Sequence, residues 1–306
     1  MSYKKKLILI LILFQIIGSN TMGFEAIQED TQEPCKILFI GHSYFNWYNL
    51  PGIFENLSIN AEKDVFVDRY CVNGVSLYEH ASRSATDSKI KQKDWDYVVL
   101  IDSGVSTAYP EEYPDEPLIP ALITLEDKIS SNCNSTTMIY CMPWAFENGY
   151  GWNGTFESMQ IEIYEQTLQI SEDLNLTISP VGWAWYTVLK NLKYPPNYLH
   201  VEDESHPSLK GTYLMACTIY STIFREPATG IPFYSDMTKI NAKYFQNVAT
   251  NTVMDNLELW NIDPLPLDNN SSIPGFNTNS LLLFTIIGLS IIIFIRRKFI
   301  LTSLNE

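Results

Sequence analysis

The sequence predicts an α/β fold: a three-layer αβα sandwich around a parallel sheet of about five strands. Short, unbroken apolar runs alternate with amphipathic stretches from residue 36 onward. Unbroken apolar character is what a strand covered on both faces needs, and strand-helix alternation implies parallel pairing. The 306 residues are 46% apolar and 18% charged, enough for a core and unlike a disordered chain or a coiled coil.

Lys36–Gly41 (KILFIG), Val65–Cys71, Tyr97–Ile101, Thr136–Met142 and Thr177–Val181 read as the strands. Leu50–Ala61, Leu77–Arg83, Leu118–Ser130 and Phe156–Asp173 carry apolar residues three and four apart and read as the helices between them. Leu209–Phe224 and Asp236–Asn256 read as two more. The domain so defined covers residues 33–260. Tyr109–Pro117 reads as an acidic, proline-rich solvated loop.

The two ends read differently. Lys4–Lys6 precede the 11-residue apolar run Leu7–Ile17, the pattern of an export signal, placed at residues 1–23. Residues 261–275 are rich in Pro, Asp and Asn and read as a linker. Residues 276–298 hold the uncharged run Leu281–Ile295 and end on Arg296, Arg297 and Lys298, the pattern of a membrane anchor with its basic end in the cytoplasm. The body is therefore expected on the extracellular face of the membrane. Pro274-Gly275-Phe276 before the run resembles the sorting signals of archaeal surface proteins, in which the span is replaced by a lipid. An ordinary single-pass anchor fits the same residues.

Charge narrows the partners. The chain carries 20 basic and 35 acidic side chains, and residues 24–280 alone have a net charge of -20. Nucleic acid is excluded as a partner, because phosphate binding needs a positive footprint. The five cysteines are an odd number, leaving at least one free, and no CxxC pair suggests zinc. Six Asn-X-Ser/Thr sequons, at Asn56, Asn134, Asn153, Asn175, Asn269 and Asn270, suggest a glycosylated surface.

In an open parallel sheet, ligands bind beyond the carboxyl ends of the strands. Gly41-His42-Ser43 follows the first strand, where a serine on a strand-to-helix turn exposes its hydroxyl. Asp203-Glu204-Ser205-His206 precedes the helix after the fifth strand. A histidine three residues after an aspartate can donate from one ring nitrogen to the carboxylate and use the other as a base. Both segments fall on the same rim, in the order nucleophile, orienter, base.

On these residues the chain resembles the SGNH (GDSL-type) hydrolases over most of residues 36–225. Lys36–Tyr44 is similar to the family's first block, with Ser43 at the nucleophile. Val72-Asn73-Gly74 is similar to the second, with Gly74 at the oxyanion glycine. Asp203–His206 is similar to the last. Pro143-Trp144, Ser158–Gln160, Pro180–Trp185 and His206–Cys217 resemble one uncharacterised bacterial and archaeal branch. The third block departs: Ile101-Asp102-Ser103-Gly104 stands where the family usually has Gly-x-Asn-Asp, whose Asn donates to the oxyanion.

The resemblance implies a flavodoxin-like SGNH fold and a serine esterase with Ser43, His206 and Asp203 as its catalytic residues. Ser43 and Gly74 would form the oxyanion hole, with Ser103 or the loop holding Asn148 as the third donor, unless that donor is missing. His42 and Trp144 are the candidate substrate contacts, and Tyr150 and Trp152 are aromatics that could line a sugar cleft. No metal or organic cofactor is implied. The expected partner is an acyl ester, with O-acetyl groups on surface glycans among the candidates. The alternative is a weak or inactive carbohydrate-binding protein on the same fold.

Overall fold

A computed structural model describes residues 33–263, apart from residues 113, 116, 152, 153 and 193–195. The signal segment, the anchor, the linker beyond residue 263, Trp152 and the sequons at 153, 269 and 270 lie outside the described residues. The compact unit ends at Ile262.

The chain begins with β1 (Cys35–Gly41), the short helix α1 (Ser43–Asn46), α2 (Leu50–Asn60) and β2 (Val65–Cys71). Next come α3 (Leu77–Ser82), α4 (Ser84–Ile90), β3 (Tyr97–Leu100), α5 (Gly104–Ala108) and α6 (Leu118–Asn132). β4 (Thr137–Cys141), α7 (Phe156–Leu174), β5 (Thr177–Ser179), α8 (Val181–Leu192), α9 (Leu209–Phe224) and α10 (Lys239–Met254) complete it. The five strands are all parallel, in the order β2-β1-β3-β4-β5. This is the flavodoxin-like order, and β1 stands where the direction of winding reverses.

Burial follows the strand positions. Ile37, Leu38, Phe39 and Ile40 of β1 are fully buried between two neighbours and two helical layers. β2, at the edge, is half-exposed along its length. Helix α2 packs with α9, and α9 in turn with α8 and α10, while α6 packs with α3 and α4. A helical layer thus covers each face of the sheet.

The helices start where a side chain can satisfy their free N–H groups. Ser76 caps α3 with Glu79 closing the capping box, Thr155 caps α7, Ser208 caps α9 and Thr238 caps α10. The three-layer prediction holds, with three local corrections. Strand β5 stops at Ser179 rather than Val181, because Pro180 has no N–H for the ladder and its carbonyl already accepts from Ala184 (3.0 Å). Helix α8 was not expected, since apolar residues surround it and hide the helical period. The short helices α4 and α5 also escaped the pattern.

Helix α8 approaches the end of β4 unusually closely. Gly182 N–H donates to the Met142 carbonyl at 2.9 Å, and a Cβ at Gly182 would stand 1.9 Å from the Pro143 carbonyl oxygen. Only glycine fits there.

The cysteines are free: Cys141 and Cys217 are buried, and Cys35, Cys71 and Cys133 are half-buried. Among the described residues no helix is long and apolar enough to cross a membrane. Of the described sequons, Asn134 and Asn175 are exposed beside the N-terminal ends of β4 and β5. Asn56 lies within α2, with Ser58 of its sequon fully buried and donating to the Phe54 carbonyl.

Candidate active site

The rim of the sheet brings three predicted residues into one hydrogen-bonded chain. Ser43 opens α1 directly after β1, and its Oγ lies 2.7 Å from His206 Nε2. His206 Nδ1 lies 2.6 Å from Asp203 Oδ2. Because an ionised carboxylate only accepts, Nδ1 carries the ring proton and Nε2 is left to accept from the Ser43 hydroxyl.

The other Asp203 oxygen shapes the loop, accepting the backbone N–H groups of Ser205 (3.0 Å) and His206 (2.8 Å). Burial pushes the Asp203 carboxyl up, but these donors and the His206 ring outweigh it, and it sits below the ordinary carboxylate range. The base is pinned further by a bridge between His200 and Pro207 and by Val201 N–H donating to the His206 carbonyl (3.0 Å).

Aromatic rings hold the serine and the histidine together. Trp144 stacks between Tyr44 (4.4 Å) and Trp185 (4.2 Å), and its Nε1 donates to the Ser205 carbonyl at 2.9 Å. Tyr44, next to the serine, shares a hydrogen bond between its hydroxyl and Ser205 Oγ at 2.9 Å. Trp47 lies nearly parallel to the His206 ring at 4.7 Å. A tryptophan face there favours the positively charged imidazole that proton transfer creates. Trp47 was not singled out in the sequence; the only signal is an aromatic residue one helical turn after the serine.

The strand-to-helix turn has its own support. The Gly41 carbonyl accepts from Val72 N–H (3.0 Å) and lies 2.9 Å from Nε2 of the fully buried His80. That carbonyl can only accept, so His80 carries its proton on Nε2 and accepts from Thr86 Oγ1 on Nδ1 (3.0 Å). Sequence reasoning gave His80 no role; it fixes the residue two positions before the serine.

Two donors suit an oxyanion. Ser43 N–H, at the start of a helix, has no intrahelical acceptor. Gly74 N–H, in the turn after β2, donates to no described residue, and the glycine takes φ +73° with open space where a Cβ would stand.

Three expectations are corrected. His42 is 7% exposed and serves as the N-cap of α1, its Nδ1 accepting the Tyr44 N–H at 3.4 Å, so as placed it caps a helix instead of touching substrate. Trp144 is fully buried in its stack and has no surface to offer. Ser103 is drawn into the cap of α5: its N–H donates to Asp102 Oδ1 (2.7 Å), and its hydroxyl accepts from Ser106 N–H (3.1 Å) and pairs with Ser106 Oγ (2.9 Å). The Ser106 hydroxyl donates onward to the buried Asp102 carboxylate, which also takes Leu77 N–H. Asn148 lines a separate cavity with Phe156, Tyr186 and Lys190. Tyr150 is partly exposed and stacks on Tyr109 at 5.4 Å.

Burial has a measurable consequence at His42. Loss of solvent pushes its pKa from 6.5 to about 4, despite the opposing pull of the Asp102 backbone. The unfolded chain therefore binds a proton that the folded chain refuses, and stability falls as the pH drops from 6.5 toward 4. The expected loss attributable to His42 is about 3 kcal/mol. His42→Asn keeps a capping side chain and removes the titration. Urea melts at pH 7 and pH 4.5 should show a smaller acid loss in this variant; equal losses would refute the assignment.

No family model matches the sequence, and no curated protein matches it. Solved structures do. A DUF4886 family protein from Bacteroides uniformis aligns at a TM-score of 0.62 and 16% identity, over 72% of this chain and 95% of that one. A proposed SGNH hydrolase from Slackia heliotrinireducens aligns at 0.49 and 18%, over 61% of this chain and 97% of its own. Axe2, an acetylxylan esterase from Geobacillus stearothermophilus, aligns at 0.45 and 17%, over 61% and 93%. At such identities the likeness is one of fold. The fold shared with the Bacteroides uniformis protein is α/β, with a five-stranded parallel sheet flanked by helices.

Proposed function

We propose that this protein is a serine ester hydrolase acting on short acyl esters, with O-acetyl groups on surface glycans as its candidate substrates. One observation carries the reading: the continuous chain from Ser43 Oγ to His206 Nε2 (2.7 Å) and from His206 Nδ1 to Asp203 Oδ2 (2.6 Å). A binding protein has no need of a serine aimed at an oriented base.

In this reading Ser43 Oγ attacks the ester carbonyl carbon while His206 Nε2 takes its proton. Asp203 keeps Nδ1 protonated and stabilises the imidazolium, as does the face of Trp47. The N–H groups of Ser43 and Gly74 receive the oxyanion. As the carbonyl re-forms, the C–O bond to the alcohol breaks and His206 returns the proton to that alcohol. Water then attacks the acyl-serine, giving its proton to His206. Collapse releases the carboxylic acid and restores the Ser43 hydroxyl.

A substrate without negative charge is supported by the surroundings. A groove of about 780 Å³ beside the base is lined by Trp47 and by Glu147, Glu202, Asp203 and Glu204. Such a wall repels anionic substrates. The extracellular location and C-terminal attachment rest on the basic and apolar runs at the two ends of the sequence. The mass of the native C-terminal peptide tests the attachment: a soluble, unprocessed chain would overturn it.

The test of activity is labelling with a fluorophosphonate, followed by peptide mapping and assay of p-nitrophenyl acetate. Label on Ser43 together with turnover is expected. A folded protein that neither labels nor turns over ester would overturn the reading in favour of the binding alternative.

A further inference from the structure

An unassigned hydrogen-bond donor adjoins Gly74, the source of one of the two backbone N–H groups. Asn73 precedes Gly74 in the turn after β2 and is exposed. Asn46, three residues after Ser43 on α1, reaches across to it: Asn46 Nδ2 lies 2.6 Å from Asn73 Oδ1 and 3.2 Å from the Cys71 carbonyl. The Cys71 carbonyl can only accept, which fixes the Asn46 nitrogen toward it. Asn73 must then turn its oxygen to Asn46 and its NH2 group away. Among the described residues that NH2 group donates to nothing. A serine-bearing helix that grips the residue before the oxyanion glycine, and sets the direction of its amide, is arranged as a donor support.

We propose that Asn73 is a further catalytic residue: its NH2 group donates to the ester carbonyl oxygen as negative charge develops, beside the N–H groups of Ser43 and Gly74. Asn46 is its positioning residue. The assignment rests on the serine hydrolase reading and deepens it. It also supplies the third donor that Ser103, committed to its cap, does not offer.

The test uses the full chain and its Asn73→Ala, Asn73→Asp and Asn46→Ala variants. Loss of a preorganised oxyanion donor lowers kcat by roughly 10²–10³-fold. Asn73→Ala should show that loss with p-nitrophenyl acetate, little change in KM and an unchanged melting temperature. Asn73→Asp is isosteric but presents oxygens to the oxyanion, so its kcat should fall at least as far. Binding of a trifluoromethyl ketone, which forms a tetrahedral adduct with the serine, should weaken in step with kcat/KM. Asn46→Ala should lose about tenfold in kcat, again without a matching rise in KM. An Asn73→Ala enzyme within threefold of wild type, in both kcat and fluorophosphonate labelling rate, overturns the proposal and leaves the hydrolase intact. A wild type that neither labels nor turns over overturns both.

Discussion

Ser43→Ala will lower kcat for ester hydrolysis by roughly 10⁴–10⁶-fold, because the variant has no covalent route. Ser43 Oγ is the atom that His206 Nε2 faces at 2.7 Å. Without it, the imidazole can only activate a poorly placed water. The backbone N–H of residue 43 and the Gly74 turn remain, so a residual rate from oxyanion stabilisation should survive. His206→Ala is expected to cost about as much, and the double variant no more than either single one, since the two side chains act as a unit. Ser43 is half-buried at the rim and the substitution removes one hydroxyl, so thermal melts should change little. Rates normalised to active-site concentration decide the matter. A Ser43→Ala enzyme with tenfold-reduced activity would mean that the nucleophile lies elsewhere.

Asp203→Asn should lower kcat by about 10⁴-fold with the loop still in place. The asparagine oxygen can go on accepting the N–H groups of Ser205 and His206, now at 3.0 and 2.8 Å. Its amide nitrogen would then face His206 Nδ1, where a carboxylate oxygen now sits at 2.6 Å. Two donors cannot share that contact, so the ring proton must move to Nε2. The face turned to Ser43 then becomes a donor, and the serine loses its base. Nitrogen-15 shifts of the imidazole would report the exchanged tautomer directly. A normal tautomer with normal kcat would remove Asp203 from the mechanism.

The central strands β1 and β3 were legible because burial on both faces leaves no polar residue to interrupt them: Ile37–Ile40 and Tyr97–Leu100 are apolar for that reason, whereas β2 at the edge carries Asp68 and Arg69. The serine and the Asp-x-x-His segment were legible because strand ends can be counted along the chain, and both fall on one rim. The rest depended on contacts that no local pattern encodes. An aromatic residue after a strand reads alike whether it lines a cleft or sits in a stack. Trp144 became a pillar only because Gly182 lets α8 bring Trp185 against it. Ser103 looked available until the Asp102 carboxylate folded back onto its N–H. Asn73 and Asn46 were invisible as a pair, since only the parallel pairing of β1 with β2 brings their turns together.

Ser43 and His206 are 163 residues apart in the chain. Ser43 emerges early in synthesis, on the first strand of the sheet. His206 arrives only after all five strands and α8 have been made, and the loop that holds it accepts from Trp144, which stacks on Trp185 of α8. A nascent or truncated chain lacking residue 206 therefore carries an ordinary, unreactive serine. In the proposed reading hydrolytic power arrives with the completed domain, so the fold itself acts as the safety catch that some hydrolases obtain from a removable propeptide.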